Sequence, residues 1–201
     1  MVRYEPGYAF KELNPVQWQC SGTPKVLIPV ANGSEKMEVL VTVDVLRRAN
    51  ADAVVASTEG GAEVVVARHG TRIVADALLH DAVAAGQQFD LVIVPGGMPG
   101  AKTLAGTEAL LKAHAAAGRA YGAIGGATAQ VLEPHGLLGG KKATTCASTA
   151  DPSECGSRVV VDGNLATSGS PGTAMEFALA VAEKLLGPEA AREVAEALLF
   201  V

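Results

Sequence analysis

The chain has 201 residues, 49% hydrophobic and 18% charged, with a formal net charge of −5. That length supports one domain with a real core, and the composition is that of a folded globular chain rather than a disordered one. Aromatics at 4% and an acidic balance exclude a base-stacking platform and any electrostatic footprint for nucleic acid or an anionic membrane.

Residues 1–24 differ from the rest. They hold Tyr4, Tyr8, Phe10 and Trp18, while Pro6, Gly7, Pro15 and Pro24 break any long periodic element. So many large apolar groups predict an extension that packs on the domain or trails from it, without chemistry of its own. The domain proper is expected from 25 to 201.

From Lys25 the pattern alternates. Residues 26–30 (VLIPV) read as a buried strand, and Ser34 is expected to cap a helix carrying Val39, Leu40, Val43 and Leu46 at helical spacing. Strands are predicted at 53–57, 63–66 and 73–75, and a helix at 77–85. Residues 91–94 (LVIV) form an apolar strand that ends in Pro95-Gly96-Gly97. A helix at 108–117 and a strand at 121–124 follow, and a helix begins at Gly126 and runs to 132. A strand is predicted at 142–146. Residues 158–167 read as a hairpin around Asp162-Gly163-Asn164. Residues 173–186 form a helix, and Pro188 opens the last one. Apolar strands separated by helices predict a flavodoxin-like, doubly wound α/β domain with a mainly parallel sheet covered on both faces.

In such sheets ligands sit beyond the carboxyl ends of the strands, where strand order reverses. Three strand ends carry candidates. In residues 31–38 (ANGSEKME), Glu38 lies near the first turn and points back toward the strand ends. A carboxyl buried there titrates high and serves as an acid or base, although Glu35 and Glu38 also suit the helix dipole. In residues 95–100 (PGGMPG), glycines let backbone N–H groups approach a ligand oxygen. In residues 122–128 (GAIGGAT), a strand runs straight into a helix with small residues around a central position, which is the architecture of a nucleophile elbow. The central residue is Gly125, so the nucleophile itself is absent.

Taken in this order, these segments resemble the DJ-one/ThiJ/PfpI superfamily of flavodoxin-like proteins. The resemblance spans nearly all of 25–199. Its most specific parts are 25–38, 41–49 (VTVDVLRRA), 91–101 (LVIVPGGMPGA), 131–143 (VLEPHGLLGGKKA) and 161–186. It implies a homodimer, with Met37, Arg47 and Arg48 on a helix at the interface. It also implies glutathione-independent glyoxalase chemistry, methylglyoxal to lactate, with deglycase, chaperone and oxidative-stress roles ascribed to the same branch. By the resemblance, Glu38 matches the acid that hydrogen-bonds the reactive thiolate, and Gly97 and Gly126 match the backbone donors of the oxyanion hole. Gly125 falls at the reactive cysteine, and Cys146 falls where the nearest branch has a histidine.

The chain therefore departs twice from the pattern. Two readings of Gly125 stand, an engineered substitution and natural divergence. Engineering usually keeps a Cβ and does not need Cys146, which favours divergence. Activity on small carbonyls is then expected to be weak or absent. The alternative class is a non-catalytic stress-response or binding module that keeps the dimer and the pocket. Cys146 is either a relocated reactive thiol near the Gly126 turn or an inert small hydrophobe.

The three cysteines, Cys20, Cys146 and Cys155, form no CxxC pair. No disulfide framework or structural zinc is expected, and the four histidines share no ligand spacing. No metal and no cofactor is expected. No apolar run reaches the ~20 residues of a membrane helix, and no secretory leader is expected. A cytoplasmic location is the default, with a plastid as the alternative.

Overall fold

The computed structural model describes residues 5, 7–84, 86, 88–144 and 157–200. Its strands are β1 (Lys11–Leu13), β2 (Lys25–Val30), β3 (Asp52–Ser57), β4 (Val64–Val66), β5 (Arg72–Val74), β6 (Ala77–Leu78), β7 (Leu91–Val94), β8 (Ala120–Ile124), β9 (Val159–Asp162) and β10 (Leu165–Ser168). Its helices are α1 (Lys36–Arg48), α2 (Leu79–Ala84), α3 (Gly100–Leu104), α4 (Glu108–Ala116), α5 (Ala174–Leu186) and α6 (Pro188–Ala197). Eight strands form one sheet in the order β1-β9-β10-β8-β7-β2-β3-β6, while β4 and β5 pair separately. Every pairing in the large sheet is parallel except β9 with β10.

The sheet is apolar on both faces because its strands alternate between two cores. Val26, Ile28 and Val30 join Leu91, Ile93 and Ile124 on one side, under Val39, Leu46, Phe177 and Val181. Leu27, Val92, Val94 and Tyr121 join Leu104, Leu111, Val131 and Leu132 on the other. Tyr121 is 2% exposed, and its hydroxyl donates to the Leu137 carbonyl at 2.7 Å, so its polar tip is satisfied. Phe177 lies 3.3 Å from where a Cβ on Gly122 would stand, and the Ala166 carbonyl is nearer still at 2.7 Å. A larger residue at 122 would force α5 off the sheet.

The extension is part of this architecture. β1 pairs in parallel with β9, so it forms the outer strand. Trp18 is buried, and its indole N–H donates to the Gly163 carbonyl at 2.9 Å. Asn14 Nδ2 donates to Asp162 Oδ1 at 2.8 Å, and Lys184 Nζ donates to Glu12 Oε1 at 2.5 Å.

Several local expectations need correction. Glu35, not Ser34, caps α1. The Ser34 hydroxyl is taken by the Ala31 N–H at 3.0 Å, which leaves Glu35 to accept from Met37 N at 3.3 Å. The helix expected from 77 starts only at Leu79, because Ala77 and Leu78 pair with β3. After β8 the chain makes a π-turn at Thr128–Leu132, with Glu133 N bonded to Thr128 O at 3.0 Å. Pro134, lacking an N–H, cannot extend it as an α-helix. Residues 142–144 form no strand. Lys142 N donates to the Asp162 carboxylate at 2.8 Å and Thr144 N to the Thr167 hydroxyl at 3.0 Å, so side chains replace ladder bonds. The rest of that predicted strand, including Cys146, lies outside the described residues.

Candidate active site at three strand ends

Strand order reverses around β2. α1 carries the chain from β2 to β3 on one side, and β7 returns on the other. The loops leaving β2 and β7 therefore meet at the switch point of the sheet, beside the turn leaving β8. Glu35 N donates to the Gly96 carbonyl at 2.8 Å, tying the first two loops together. Gly97, at φ +94°, sits where a Cβ would collide with Glu35 N and Gly33 O, so only glycine permits this approach.

Glu38 stands on the first turn of α1 and is 2% exposed. Its Oε2 accepts the Gly96 N–H at 2.6 Å. A Cβ on Gly96 would lie 3.0 Å from both Glu38 Oε2 and Gly126 N, and 2.9 Å from Ile124 O. Lacking one, Gly96 lets all three strand ends close around a single carboxyl. Burial pushes that carboxyl up to about 7. The Gly96 N–H opposes the rise and the Glu35 charge adds to it. At neutral pH both protonation states are thus populated, as suits a group that gives and takes a proton.

Gly125 is left-handed, at φ +57°, and its N–H is held by the Ser168 carbonyl at 2.8 Å. A Cβ placed on it would lie 2.5 Å from Glu38 Oε1. Any side chain at 125 therefore leaves the strand aimed at the buried acid. Gly126 has open space, with nothing within 4 Å of a Cβ there. Ala123 and Ala127, flanking the turn, are both fully buried. The structure thus gathers Glu38, Gly125 and Gly126, with Gly97 packed against the capping residue of α1. Cys146 lies outside the described residues.

Sequence reasoning assigned the backbone donors to Gly97 and Gly126 and missed Gly96, the residue that bonds Glu38. The doubled glycine after β7 was the available signal, but which of the two faces the acid depends on the loop's path. Ser168, the anchor of Gly125, carried no local signal, because its role comes from β10 pairing beside β8.

Of the histidines, His114 is buried with Nδ1 3.3 Å from Ala120 O, and His135 Nε2 lies 2.6 Å from Glu108 Oε2. Among the described residues no three His, Cys, Asp or Glu side chains converge as a metal site would require, and no helix is long and apolar enough to cross a membrane.

A flavodoxin-like α/β sheet with a buried acid facing a strand-to-helix turn defines the class. The chain belongs to the DJ-1/PfpI family, which matches residues 24–184. It is similar to Protein DJ-1 homolog B of Arabidopsis thaliana, with 46% identity over 99% of this chain and 47% of that protein. It is 38% identical to Glutathione-independent glyoxalase DJR-1.2 of Caenorhabditis elegans, over 82% of this chain and 89% of that protein. The solved structure of oxidized Toxoplasma gondii DJ-1 superposes with a TM-score of 0.81 at 39% identity, covering 89% of this chain and all of that one. The chain spans about half the length of the two Arabidopsis relatives it matches.

Proposed function

We propose that this domain descends from glutathione-independent glyoxalases acting on small reactive carbonyls, with turnover of methylglyoxal to lactate weak or absent because Gly125 stands at the nucleophile's position. The observation that carries the reading is the 2.5 Å between a Cβ at 125 and Glu38 Oε1. A thiol on that Cβ would lie beside the acid. The glyoxalase named among the relatives supports the lineage.

At full strength the chemistry needs a thiolate that adds to the aldehyde carbon. Glu38, titrating near neutrality, moves a proton between the two carbons, and Gly97 and Gly126 N–H groups hold the oxyanion. Water then releases lactate and frees the thiol. Position 125 supplies no sulfur here, so that addition has no attacking atom unless Cys146 provides one. The alternative reading is a non-catalytic binding module that retains the pocket.

The domain is also proposed to act as a homodimer. Met37 and Leu40 on α1 are about half exposed, as are Val64 and Val66 on β4, and their neighbour Val74 on β5 is 69% exposed. The β4–β5 pair is tied to the loop before α1, through Gly33 N to Val66 O and Arg68 N to Ser34 O, both at 2.9 Å. These exposed apolar side chains on α1 and the β4–β5 pair are the ones a second copy would bury. Arg47 is already engaged within the chain, by Ala53 O and by Asp76 at 2.6 Å.

Lactate formation from methylglyoxal decides among these readings. Activity in the unmodified chain that Cys146→Ser abolishes supports a relocated enzyme. Inactivity that Gly125→Cys converts to turnover supports a lineage that has dropped its nucleophile. Turnover indifferent to both changes overturns the proposal.

A further inference from the structure

On the opposite rim of the sheet, at the amino ends of the parallel strands, the extension roofs a second cleft of about 460 Å³. Its walls include Gln17, Trp18 and Gln19 from the extension, Asp90 before β7, and Arg119 before β8. The glyoxalase reading does not involve it, and the side chains the extension contributes to its roof precede residue 24, where the family match begins.

The hydrogen bonding of Arg119 in this cleft is incomplete among the described residues. Arg119 Nε is enclosed and has no hydrogen-bond acceptor among the described residues. Its Nη1 reaches only the Phe89 carbonyl, at a long 3.5 Å. None of the ion pairs among the described residues includes Arg119. Asp90 lines the same cleft without an ion pair to Arg119, and its Oδ2 accepts the Lys25 N–H at 2.8 Å. A guanidinium with an enclosed, unsatisfied donor and no ion-pair partner among the described residues favours an anion on its remaining N–H groups. The two glutamine side chains supply further donors at the rim.

We infer that this cleft binds a small organic monocarboxylate on Arg119. One negative charge matches one guanidinium, and the planar carboxylate fits its fork. A phosphate dianion brings a second charge toward Asp90, which repels it. The site is independent of Glu38 and Gly125, which lie at the other ends of the strands.

Trp18 is the sole tryptophan of the chain and lines this cleft, so its fluorescence reports occupancy directly. The full chain is titrated with acetate, and separately with inorganic phosphate, with chloride holding ionic strength constant. The proposal expects a saturable change with acetate, weakened about tenfold or more in Arg119→Gln, the loss of one charge-assisted contact. Asp90→Asn, which keeps an acceptor for Lys25, tightens binding, and Glu38→Gln leaves it unchanged. The inference is overturned by no saturable response, by equal affinity in Arg119→Gln, by phosphate binding more tightly than acetate, or by loss of the response in Glu38→Gln.

Discussion

Glu38 accepts the Gly96 N–H at 2.6 Å while its other oxygen faces Gly125, so one strand end grips the acid and aims it at another. The carboxyl is oriented before any ligand arrives, which removes part of the entropic cost of a proton transfer. That placement has a cost of its own, because a buried carboxylate is poorly solvated.

The cost is measurable as pH dependence. In the folded chain Glu38 titrates near 7, above its ordinary 4.5. Between these values the folded state holds more protons than the unfolded one, so stability is full below about 4.5 and falls as pH rises through 7. The total loss is roughly 3 kcal/mol. Urea unfolding at pH 4 and pH 8 is expected to show this decline in the unmodified chain and its absence in Glu38→Gln. Parallel behaviour of the two proteins would contradict the burial argument.

Gly125→Cys places a Cβ in left-handed backbone, at about 1–3 kcal/mol, and requires the Glu38 carboxyl to shift. Calorimetry should show a lowered melting temperature, and intact-mass spectrometry should show one additional iodoacetamide adduct. An undiminished melting temperature would mean the turn had rearranged instead.

Burial, reinforced by the Asp90 charge, pushes the Cys20 thiol up to about 11, so few of its molecules are thiolate at pH 8. Peptide mapping after brief alkylation is expected to find Cys146 labelled ahead of Cys20 and Cys155. Any other order removes the idea of a relocated reactive thiol.

Asp162 ties the extension to the chain leaving β8, accepting from Asn14 Nδ2 and Lys142 N, both at 2.8 Å. Burial works against its charge, but these bonds and the nearby Lys141 and Lys142 charges hold the carboxyl below its ordinary range. Its contribution is therefore present above pH 4 and lost as pH falls through the lowered value. Asp162→Ala should cost roughly 2–4 kcal/mol in urea unfolding at pH 7, and limited proteolysis should then cut within residues 5–24. A resistant extension would show that Trp18, the β1–β9 pairing and the Lys184–Glu12 pair secure it without Asp162.

Leu40→Glu puts a charge on the exposed face of α1 without touching the core. Light scattering on a sizing column should find a dimer for the unmodified chain and a monomer for the variant, with equal melting profiles at low concentration. A dimer that survives the change places the interface elsewhere.

Much of this was legible in advance because it depends on short-range pattern. Residues 26–30 and 91–94 alternate between two buried faces, which reads directly as parallel strands. The turn at 125 was recognisable from its small flanking residues. What stayed hidden depends on the third dimension. β1 is a three-residue strand, Lys-Glu-Leu, whose pairing exists only because β9 passes beside it. Ser34 is a sound cap by composition, but the turn at Ala31 claims its hydroxyl first. Residues 142–144 resemble a strand until Asp162 and Thr167 capture their amides.

The large sheet ends at both margins in very short strands, three residues in β1 and two in β6. Such stubs, one of them bearing Lys11 and Glu12, offer little template for strand addition by a neighbouring molecule. Proteolytic trimming of the extension would uncover the valine run of β9 and leave the margin of the sheet unpaired and open to strand addition.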